Sequence, residues 1–277
     1  MNILHISDIH FRLQYETFVT GYKGMISKMD NPLIHLKTAL DHAKSMADID
    51  LLLISGDLTE DGTPEDYAHL KKWLEAEMPE IPIVITLGNH DIKTNFRLGW
   101  LNESEGNEDY YNAVTEFEDF YLISFDSAIY EANDGDMLES QFKWLEEQLN
   151  TFQDKEIYLM THHHLFENQC STPALPQSNQ LIDLISQYPV TCLLNGHTHH
   201  TFTGDINGIQ YYTVGGMSFV GEDEGDGLVR FDQRFSYNLY KVVEGKIIHQ
   251  TTENFVLGKT IDKVDMKNNV EKDALIS

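Results

Sequence analysis

Five short apolar segments of this chain each end directly before side chains that bind metal ions. The segments are residues 3–7, 51–55, 83–87, 157–160 and 191–195, and the side chains that follow them are Asp8 and His10, Asp57, Asn89, His162, and His197 and His199. Segments of this length and composition are typical of buried strands. Because ligand sites in open α/β sheets form at the carboxyl ends of strands, we expect these side chains to meet at one edge.

Helical patterns between these segments indicate the fold class. Leu33, Leu36 and Leu40 lie on one face of a candidate helix, and Pro64 begins another after Thr63 as its N-cap. Further apolar stripes lie within residues 142–149 and 181–185. Strands that alternate with helices in this way favour a layered α/β fold.

Two stretches depart from the alternation and set the domain organisation. Residues 93–118 are polar and aromatic without a clear period, so we interpret them as an excursion that serves as a lid. Glu244-Gly245 between two β-rich runs predicts a hairpin. We therefore assign residues 1–235 to the main domain, with the lid at 93–118, and residues 236–277 to a C-terminal β-hairpin and polar tail that complete it.

The residue types of the candidate site indicate which metals it would hold. Imidazole and carboxylate ligands together suit Mn, Fe, Zn or Co, and the chain has only two cysteines, which argues against a thiolate site and a disulfide scaffold. Seven ligands are too many for one tetrahedral ion. They suit two ions about 3.5–4 Å apart that share a bridging carboxylate. Gly56, Gly88 and Gly196 each precede a ligand, where glycine allows a sharp turn off the strand.

The order of these motifs resembles that of a known family. Asp8-Ile9-His10, Gly56-Asp57, Gly88-Asn89-His90-Asp91, His162 and Gly196-His197-Thr198-His199 together resemble the calcineurin-like metallophosphoesterases, over roughly residues 1–215. Sequence outside the metal motifs, such as Thr59-Glu60-Asp61-Gly62 and Asn95-Phe96-Arg97, is similar to one branch of the family. That branch contains class III cyclic nucleotide phosphodiesterases and bacterial glycerophosphodiesterases.

The resemblance implies a fold and a set of metal ligands. The fold would be a four-layer α/β sandwich of two facing mixed β-sheets flanked by helices, with the site at the strand ends. One metal would take Asp8, His10, Asp57 and His199. The other would take Asp57, Asn89, His162 and His197, so that Asp57 bridges the two ions.

The resemblance also implies roles in catalysis. A hydroxide between the ions would attack phosphorus, and His90 would donate to a phosphate oxygen and assist the leaving group. Asp91 would orient His90 by accepting a hydrogen bond from its other ring nitrogen. Arg12 and Arg97 are candidates for holding the substrate phosphate, because guanidinium groups suit phosphate.

One motif departs from the usual pattern of this branch. The fourth block usually has two histidines and then proline, whereas this chain has His162-His163-His164 followed by Leu165. Counting from the strand end favours His162 as the ligand. His163 is the competitor for that role and otherwise a candidate contact for the substrate phosphate.

The net charge of the chain limits which kinds of molecule it is expected to bind. The chain has 19 Lys and Arg against 45 Asp and Glu, a formal net charge of −26. This disfavours nucleic acids and anionic membrane surfaces, which need clustered basic residues. The first residues lack the basic and long apolar regions of a signal peptide, so we expect a cytoplasmic protein that acts on a small phosphate ester.

The sequence leaves several functional questions open. We expect a metal-dependent phosphodiesterase for small diesters such as cyclic nucleotides or glycerophosphodiesters. The alternatives are a phosphomonoesterase or phosphoprotein phosphatase, and, from a different class, an inert scaffold of the same fold. A full set of ligands argues against the scaffold. The native metals stay open, as does the oligomeric state, for which the hairpin after residue 235 is a candidate dimer contact.

Overall fold

The computed structural model describes residues 1–130, 132–167, 169 and 172–269. Six helices occur in this part of the chain: α1 (Gly21–Ile26), α2 (Pro32–Met46), α3 (Pro64–Glu77), α4 (Lys93–Gly99), α5 (Glu139–Thr151) and α6 (Ser178–Ile185). The strands are β1 (Asn2–Ile6), β2 (Leu51–Ser55), β3 (Ile83–Thr86), β4 (Ala113–Glu116), β5 (Phe120–Ser124), β6 (Glu156–Met160), β7 (Val190–Asn195), β8 (Phe202–Ile206), β9 (Ile209–Thr213), β10 (Val220–Gly225), β11 (Leu228–Val243) and β12 (Lys246–Asp265).

The strands form two six-stranded sheets. The first has the order β10-β11-β1-β2-β3, with β12 paired to β11, and the second has the order β4-β5-β6-β7-β9-β8. In the first sheet β1 lies between β2, which is parallel to it, and β11, which is antiparallel. In the second sheet β5, β6, β7 and β9 are parallel, and β4 and β8 close the edges as antiparallel strands.

Apolar side chains hold these sheets in a sandwich flanked by helices. Between the sheets, Leu53, Leu122, Met160 and Leu194 are fully buried in one cluster. A second cluster lies between the first sheet and helices α2, α3 and α4, and a third between the second sheet and helices α5 and α6. The layered α/β fold with two facing mixed sheets is therefore confirmed.

The strands and helices predicted from periodicity are also confirmed, with ends that shift by a residue or two. Segment 51–55 corresponds to β2 without change. Thr63 caps α3 with its side chain, and Pro64 occupies the first turn. These agreements reflect local signals, because strand and helix patterns and caps act within a few residues.

The structure differs from the sequence interpretation in two segments. Residues 93–118 do not form a detached lid, because they contain α4, which packs on α3, and β4, which pairs with β5. The C-terminal hairpin starts earlier than residue 236, since β11 begins at Leu228. Its partner β12 extends to Asp265, through part of the stretch expected to be a loose tail. The remainder of that tail, residues 270–277, and Cys170 lie outside the described residues.

No helix among the described residues is long and apolar enough to cross a membrane.

The inter-sheet core should determine how firmly the strand ends are held. Leu53→Ala, at a fully buried position on β2, should lower the free energy of unfolding by about 2–5 kcal/mol, because it removes buried methyl groups and leaves a cavity. Urea unfolding measures the change. Ile248→Ala, at a 59% exposed position on β12, is the control and should change the free energy by less than about 0.5 kcal/mol. Equal effects of the two substitutions would contradict the assignment of this core.

Candidate metal centre

Imidazole and carboxylate groups from five strand ends meet at one edge of the sandwich. The Asp57 carboxylate lies 3.3 Å from Nε2 of His162 and 3.6 Å from Nε2 of His10. The Asp8 carboxylate lies 3.4 Å from Nε2 of His199 and 4.0 Å from Nε2 of His162. The structure thus brings together side chains that are up to 191 residues apart, as the strand-end pattern predicts.

Two overlapping groups of these atoms could each hold a cation. Asp8, His10 and His199 form one group, and Asp8, Asp57 and His162 form the other, with the ligand atoms of each group within 4.8 Å of one another. His197 joins the second group, since its Nδ1 lies 3.3 Å from Nε2 of His162. In the first group the Nε2 atoms of His10 and His199 are 3.2 Å apart. Nitrogen pairs this close suit imidazoles that share or neighbour a metal ion.

Buried polar atoms without a protein partner support the same interpretation. Oδ1 of Asp8 and Oδ1 of Asn89 are buried without a hydrogen-bond partner among the described residues. Asn89 and His197 line the same cavity as His10, Asp57 and His199. Because buried polar atoms almost always have a partner, such atoms at one place indicate a missing ligand. The donor set therefore fits metal ions.

The backbone at the ligands is held in an uncommon conformation. The φ angles of Asp8, His10, Asp57, His197 and His199 are 54°, 50°, 47°, 68° and 56°, all in the left-handed region. Such angles are rare outside glycine and cost free energy, so they persist only where the surroundings enforce them. The loops after β1 and β2 enforce these angles on each other through hydrogen bonds. The backbone N–H of Asp8 donates to the carbonyl of Gly56 at 3.1 Å, and that of His10 donates to the carbonyl of Asp57 at 3.0 Å.

All three glycines beside the ligands are required by close approach, since a Cβ on Gly56 would overlap the ring of His162. A Cβ on Gly88 would overlap the carboxylate of Asp57, and a Cβ on Gly196 would overlap the side chains of Ser7 and Asp8. At Gly56 the φ angle of 99° adds a conformational reason. The glycines thus let carboxylates and imidazoles approach the neighbouring backbone.

Hydrogen bonds at the second ring nitrogen orient the ligand histidines. Nδ1 of His162 bonds the carbonyl of Ser55 at 2.7 Å, and Nδ1 of His199 bonds the carbonyl of Phe219 at 2.7 Å. Each bond fixes Nδ1–H as the donor and leaves Nε2 as the nitrogen that can bind a metal. His10 is oriented differently, because its Nδ1 bonds the carboxylate of Glu60 at 2.6 Å.

Glu60 is the most important residue that the sequence analysis missed. It is buried, and besides His10 its carboxylate faces Nδ1 of His90 at 3.4 Å. Asp61 lies on the same side of the His90 ring at 3.5 Å. The Gly56-Asp57 motif offered a signal, because Glu60 follows on the same loop, but only the fold shows which histidines it contacts.

Asp91 takes a different place from the one expected. Its carboxylate accepts hydrogen bonds from the backbone N–H groups of Gly88, Leu58 and Thr59 at 2.9, 3.1 and 3.2 Å and from the hydroxyl of Tyr67 at 2.9 Å. The tight turn from Gly88 to Asp91 directs this side chain inward, away from the His90 ring. Asp91 therefore ties together the two loops that carry Asp57 and Asn89, and Glu60 and Asp61 take over the orientation of His90.

Charges within the site shift the pKa values of its groups in opposite directions. Burial lowers the pKa of His90, but the carboxylates of Glu60, Asp57 and Asp61 outweigh burial and raise it to about 10. Burial would raise the pKa of Asp57, yet His162 and His90 hold it well below its usual range. Burial lowers the pKa of His199 to about 4, which favours the neutral imidazole that binds metals.

His163 lies beside the ligand cluster, fully buried. Its Nδ1 bonds the hydroxyl of Ser127 at 2.8 Å, and its ring centre is 4.5 Å from that of His197. Its Nε2 is buried without a hydrogen-bond partner among the described residues. His162 is nearer to both carboxylates through the contacts described above, so the structure favours His162 as the ligand and leaves His163 as a neighbour.

Neither of the arginines suggested for phosphate binding is free to do so. Arg12 donates to the backbone carbonyls of Glu60 and Asp61 at 2.9 and 3.2 Å and pairs with Asp66 at 3.0 Å. Arg97 pairs with Glu103 at 3.2 Å and donates to the carbonyl of Asp109 at 3.1 Å. Their guanidinium groups therefore anchor loops: Arg12 holds the loop of Glu60, and Arg97 holds the segment after α4.

A cavity of about 310 Å³ opens above the ligands. One side is formed by residues distant in sequence from every metal motif, namely Tyr22, Phe219, Phe231, Met266 and Asn269, which we call the aromatic wall. Residues of the 93–118 segment are absent from the described lining of this cavity. The wall therefore occupies the place that the sequence analysis assigned to the lid.

Comparison with known proteins agrees with the fold. The sequence profile of the calcineurin-like phosphoesterase family matches residues 1–201. The chain belongs to this family, whose members are metal-dependent phosphoesterases. The family thus implies divalent metal ions, for which the groups described above are candidate ligands.

The individual relatives and solved structures share less than a third of their aligned residues with this chain. A probable glycerophosphodiester phosphodiesterase GpdQ from Arcobacter nitrofigilis is 31% identical over 179 residues, which cover 61% of this chain and 63% of that protein. A probable cyclic nucleotide phosphodiesterase from Rhodococcus erythropolis is 24% identical over 270 residues, which cover 94% of this chain and 87% of that protein. A dimetal phosphatase from Danio rerio shares the fold, with a TM-score of 0.58 at 12% identity, over 91% of this chain and 98% of that one.

Two adjacent histidines provide a matched test of metal binding. His199→Gln should lower the metal affinity at least about ten-fold, because it removes a nitrogen 3.4 Å from Asp8. His200→Gln should leave it unchanged, since Nε2 of His200 contacts the carbonyl of Gly221 instead. Metal content after equilibrium dialysis, measured by mass spectrometry, compares the two. Equal loss in both variants would contradict the assignment.

A second pair of substitutions decides whether His162 or His163 binds the metal. We expect His162→Gln to lose more bound metal than His163→Gln, because only His162 lies within 3.3 Å of Asp57 among these two. The same dialysis measurement applies, with circular dichroism to verify that both variants fold. Greater loss in His163→Gln would assign the ligand to His163.

Proposed function

We propose that this protein is a dinuclear metal-dependent phosphoesterase that hydrolyses small phosphodiesters. The convergence of two buried carboxylates and four imidazoles beside a further histidine, His90, is the observation that carries the proposal. Membership in the phosphoesterase family supports the reaction class. The names of the relatives, glycerophosphodiester and cyclic nucleotide phosphodiesterases, support a diester substrate.

The ligand assignment draws on both groups of atoms, which share Asp8, and divides the ligands between the ions as the family resemblance implies. Asp8, His10, Asp57 and His199 would hold one ion, and Asp57, Asn89, His162 and His197 would hold the other, with Asp57 between them. Bound metal ions would supply positive charge for the phosphoryl oxygens and lower the pKa of a water that attacks phosphorus. The ligand types allow Mn, Fe or Zn.

His90 is the residue that we assign to proton transfer. Its Nδ1 faces Glu60 and Asp61, so its Nε2 is the nitrogen available to the substrate in the cavity that the ring lines. The carboxylates hold the ring in one orientation and raise its pKa, so the imidazolium form, with a proton on each ring nitrogen, is favoured. His90 can then donate from Nε2 to the leaving oxygen. The backbone N–H of His90 also donates to Asp57 at 2.9 Å, which ties its position to the ligand cluster.

The size of the cavity favours a small substrate. A volume of about 310 Å³ is at the lower end for ligand pockets, and it accommodates one small diester rather than a protein segment. The net charge of −26 opposes long nucleic acids, whose phosphates would meet the acidic surface. A small ester meets mainly the metal ions, which reverse the local potential.

Substitution of His90 tests the mechanism. His90→Ala should lower kcat by about 10²–10⁴-fold through loss of the proton donor, while metal content stays near that of the wild type. His249→Ala, on the exposed surface of β12, is the control and should keep full activity. Hydrolysis is measured with metal-reconstituted protein on glycerophosphoethanolamine, because its alkoxide leaving group needs the proton that His90 would donate. Undiminished turnover in His90→Ala would refute this role.

A substrate panel separates the proposed reaction from its alternatives. Wild-type protein should hydrolyse an aryl diester faster than the corresponding aryl monoester. Preference for the monoester would indicate a phosphomonoesterase. Absence of both activities in protein that binds no metal would indicate a scaffold.

A further inference from the structure

We infer that the aromatic wall is a binding surface for an uncharged planar ring on the organic group of the diester, and that the end of β12 completes this surface. The inference rests on the proposed function, because it concerns the substrate of the same cavity. It adds residues from α1, from β11 and from the C-terminal segment to a site otherwise built from strand ends. These residues would select among diesters.

Three rings form the apolar part of the wall. Phe219 and Phe231 meet edge to face with ring centres 5.5 Å apart, and Tyr22 meets them at 6.3 and 6.1 Å in the same manner. Phe219 also stacks on the ring of His199, at 4.3 Å. The wall is therefore continuous with the metal ligands, and a group that lies on it is next to the reacting phosphate.

Tyr22 is the most accessible of the three rings of the wall, since Phe219 and Phe231 are buried. On α1, Met25 and Ile26 are buried in an apolar cluster together with Phe219 and Phe231, whereas Tyr22 is half-buried and lines the cavity. Its ring is nearly parallel to that of His90, at 5.9 Å and 29°. Tyr22 packs on this apolar cluster and its hydroxyl donates to Glu60 at 3.4 Å, so its ring is held in place where it lines the cavity and can contact a planar group.

The end of β12 is attached to this wall by specific contacts. The side-chain oxygen of Asn269 accepts a hydrogen bond from the backbone N–H of Tyr22 at 2.9 Å. The backbone N–H of Met266 donates to the carbonyl of Gly227 at 2.8 Å. Lys28, two residues after the end of α1, pairs with Asp262 on β12. The segment 266–269 and α1 therefore form one unit at the mouth of the cavity.

The chemistry of the wall indicates what it would bind. Its members carry no formal charge, in contrast to the acidic surface of the chain and to the ligand cluster opposite. Stacking on an aromatic ring is favourable for any nucleobase, because every base has a π face. A glycerol group has no such face. The wall therefore favours diesters that carry a base or another planar ring over ring-free diesters.

The selectivity between two diesters tests this inference. The readout is the ratio of kcat/KM for adenosine 3′,5′-cyclic monophosphate to that for glycerophosphoethanolamine, in which general losses of activity cancel. Tyr22→Leu should lower the ratio roughly ten-fold, mainly through KM for the cyclic nucleotide. Tyr22→Phe, which keeps the ring but loses the hydroxyl, should retain it. An unchanged ratio in Tyr22→Leu would overturn the inference.

Asn269 and Asn268 provide a matched pair for the C-terminal segment. Asn269→Ala removes the bond to Tyr22 and should lower the same ratio several-fold. Asn268→Ala should not, because its side chain contacts Asp265 on the exposed surface. Equal effects of the two substitutions would overturn the role of this segment.

A binding measurement separates this inference from the proposed function. Saturation-transfer NMR with adenosine, which has no phosphate, should show contact with the wild type and with Tyr22→Phe, and reduced contact with Tyr22→Leu. If the wild type hydrolyses no diester but this pattern holds, the proposed function fails and the ring surface stands. If hydrolysis depends on metal but adenosine binds equally to all three, the ring surface fails and the proposed function stands.

Discussion

The buried carboxylate of Asp57 is the contact on which the geometry of the site depends. It accepts the backbone N–H of His90 and lies beside imidazoles from β1 and β6, so it joins the two sheets of the sandwich at their common edge. Its position requires glycine at Gly88 and a left-handed backbone at Asp57 itself. The close approach at Gly88 and the unfavourable backbone angle of Asp57 thus both position one side chain. Backbone strain of this kind is typical of functional sites.

Much of the fold and of the ligand cluster could be predicted from the sequence, because those signals are local. Apolar runs mark the strands, and the residue that follows a strand lies at its carboxyl end whatever the sheet order is. What could not be predicted depends on the path of the chain between elements. Asp91 is adjacent to His90 in sequence, yet a turn directs it to Gly88, while Glu60 reaches His90 from another loop.

The segments that differ from prediction have a common physical cause. Residues 93–118 lack a clear period because β4 is a short, partly exposed edge strand and α4 is only two turns long. Residues 259–265 are polar but form the end of β12, because β11 offers them a partner over a long register, which outweighs their composition. In both segments tertiary pairing decides the structure.

The position of β1 between β2 and β11 links the site to the order in which the chain is made. The candidate ligands Asp8 and His10 are synthesised before the other candidate ligands, but β1 gains its second neighbour only when β11, beginning at Leu228, has been synthesised. Long-range pairing of this kind is slow and leaves an edge exposed until it forms. Until β11 has been made, the nascent chain therefore carries these two candidate ligands without the complete sheet that holds them in place.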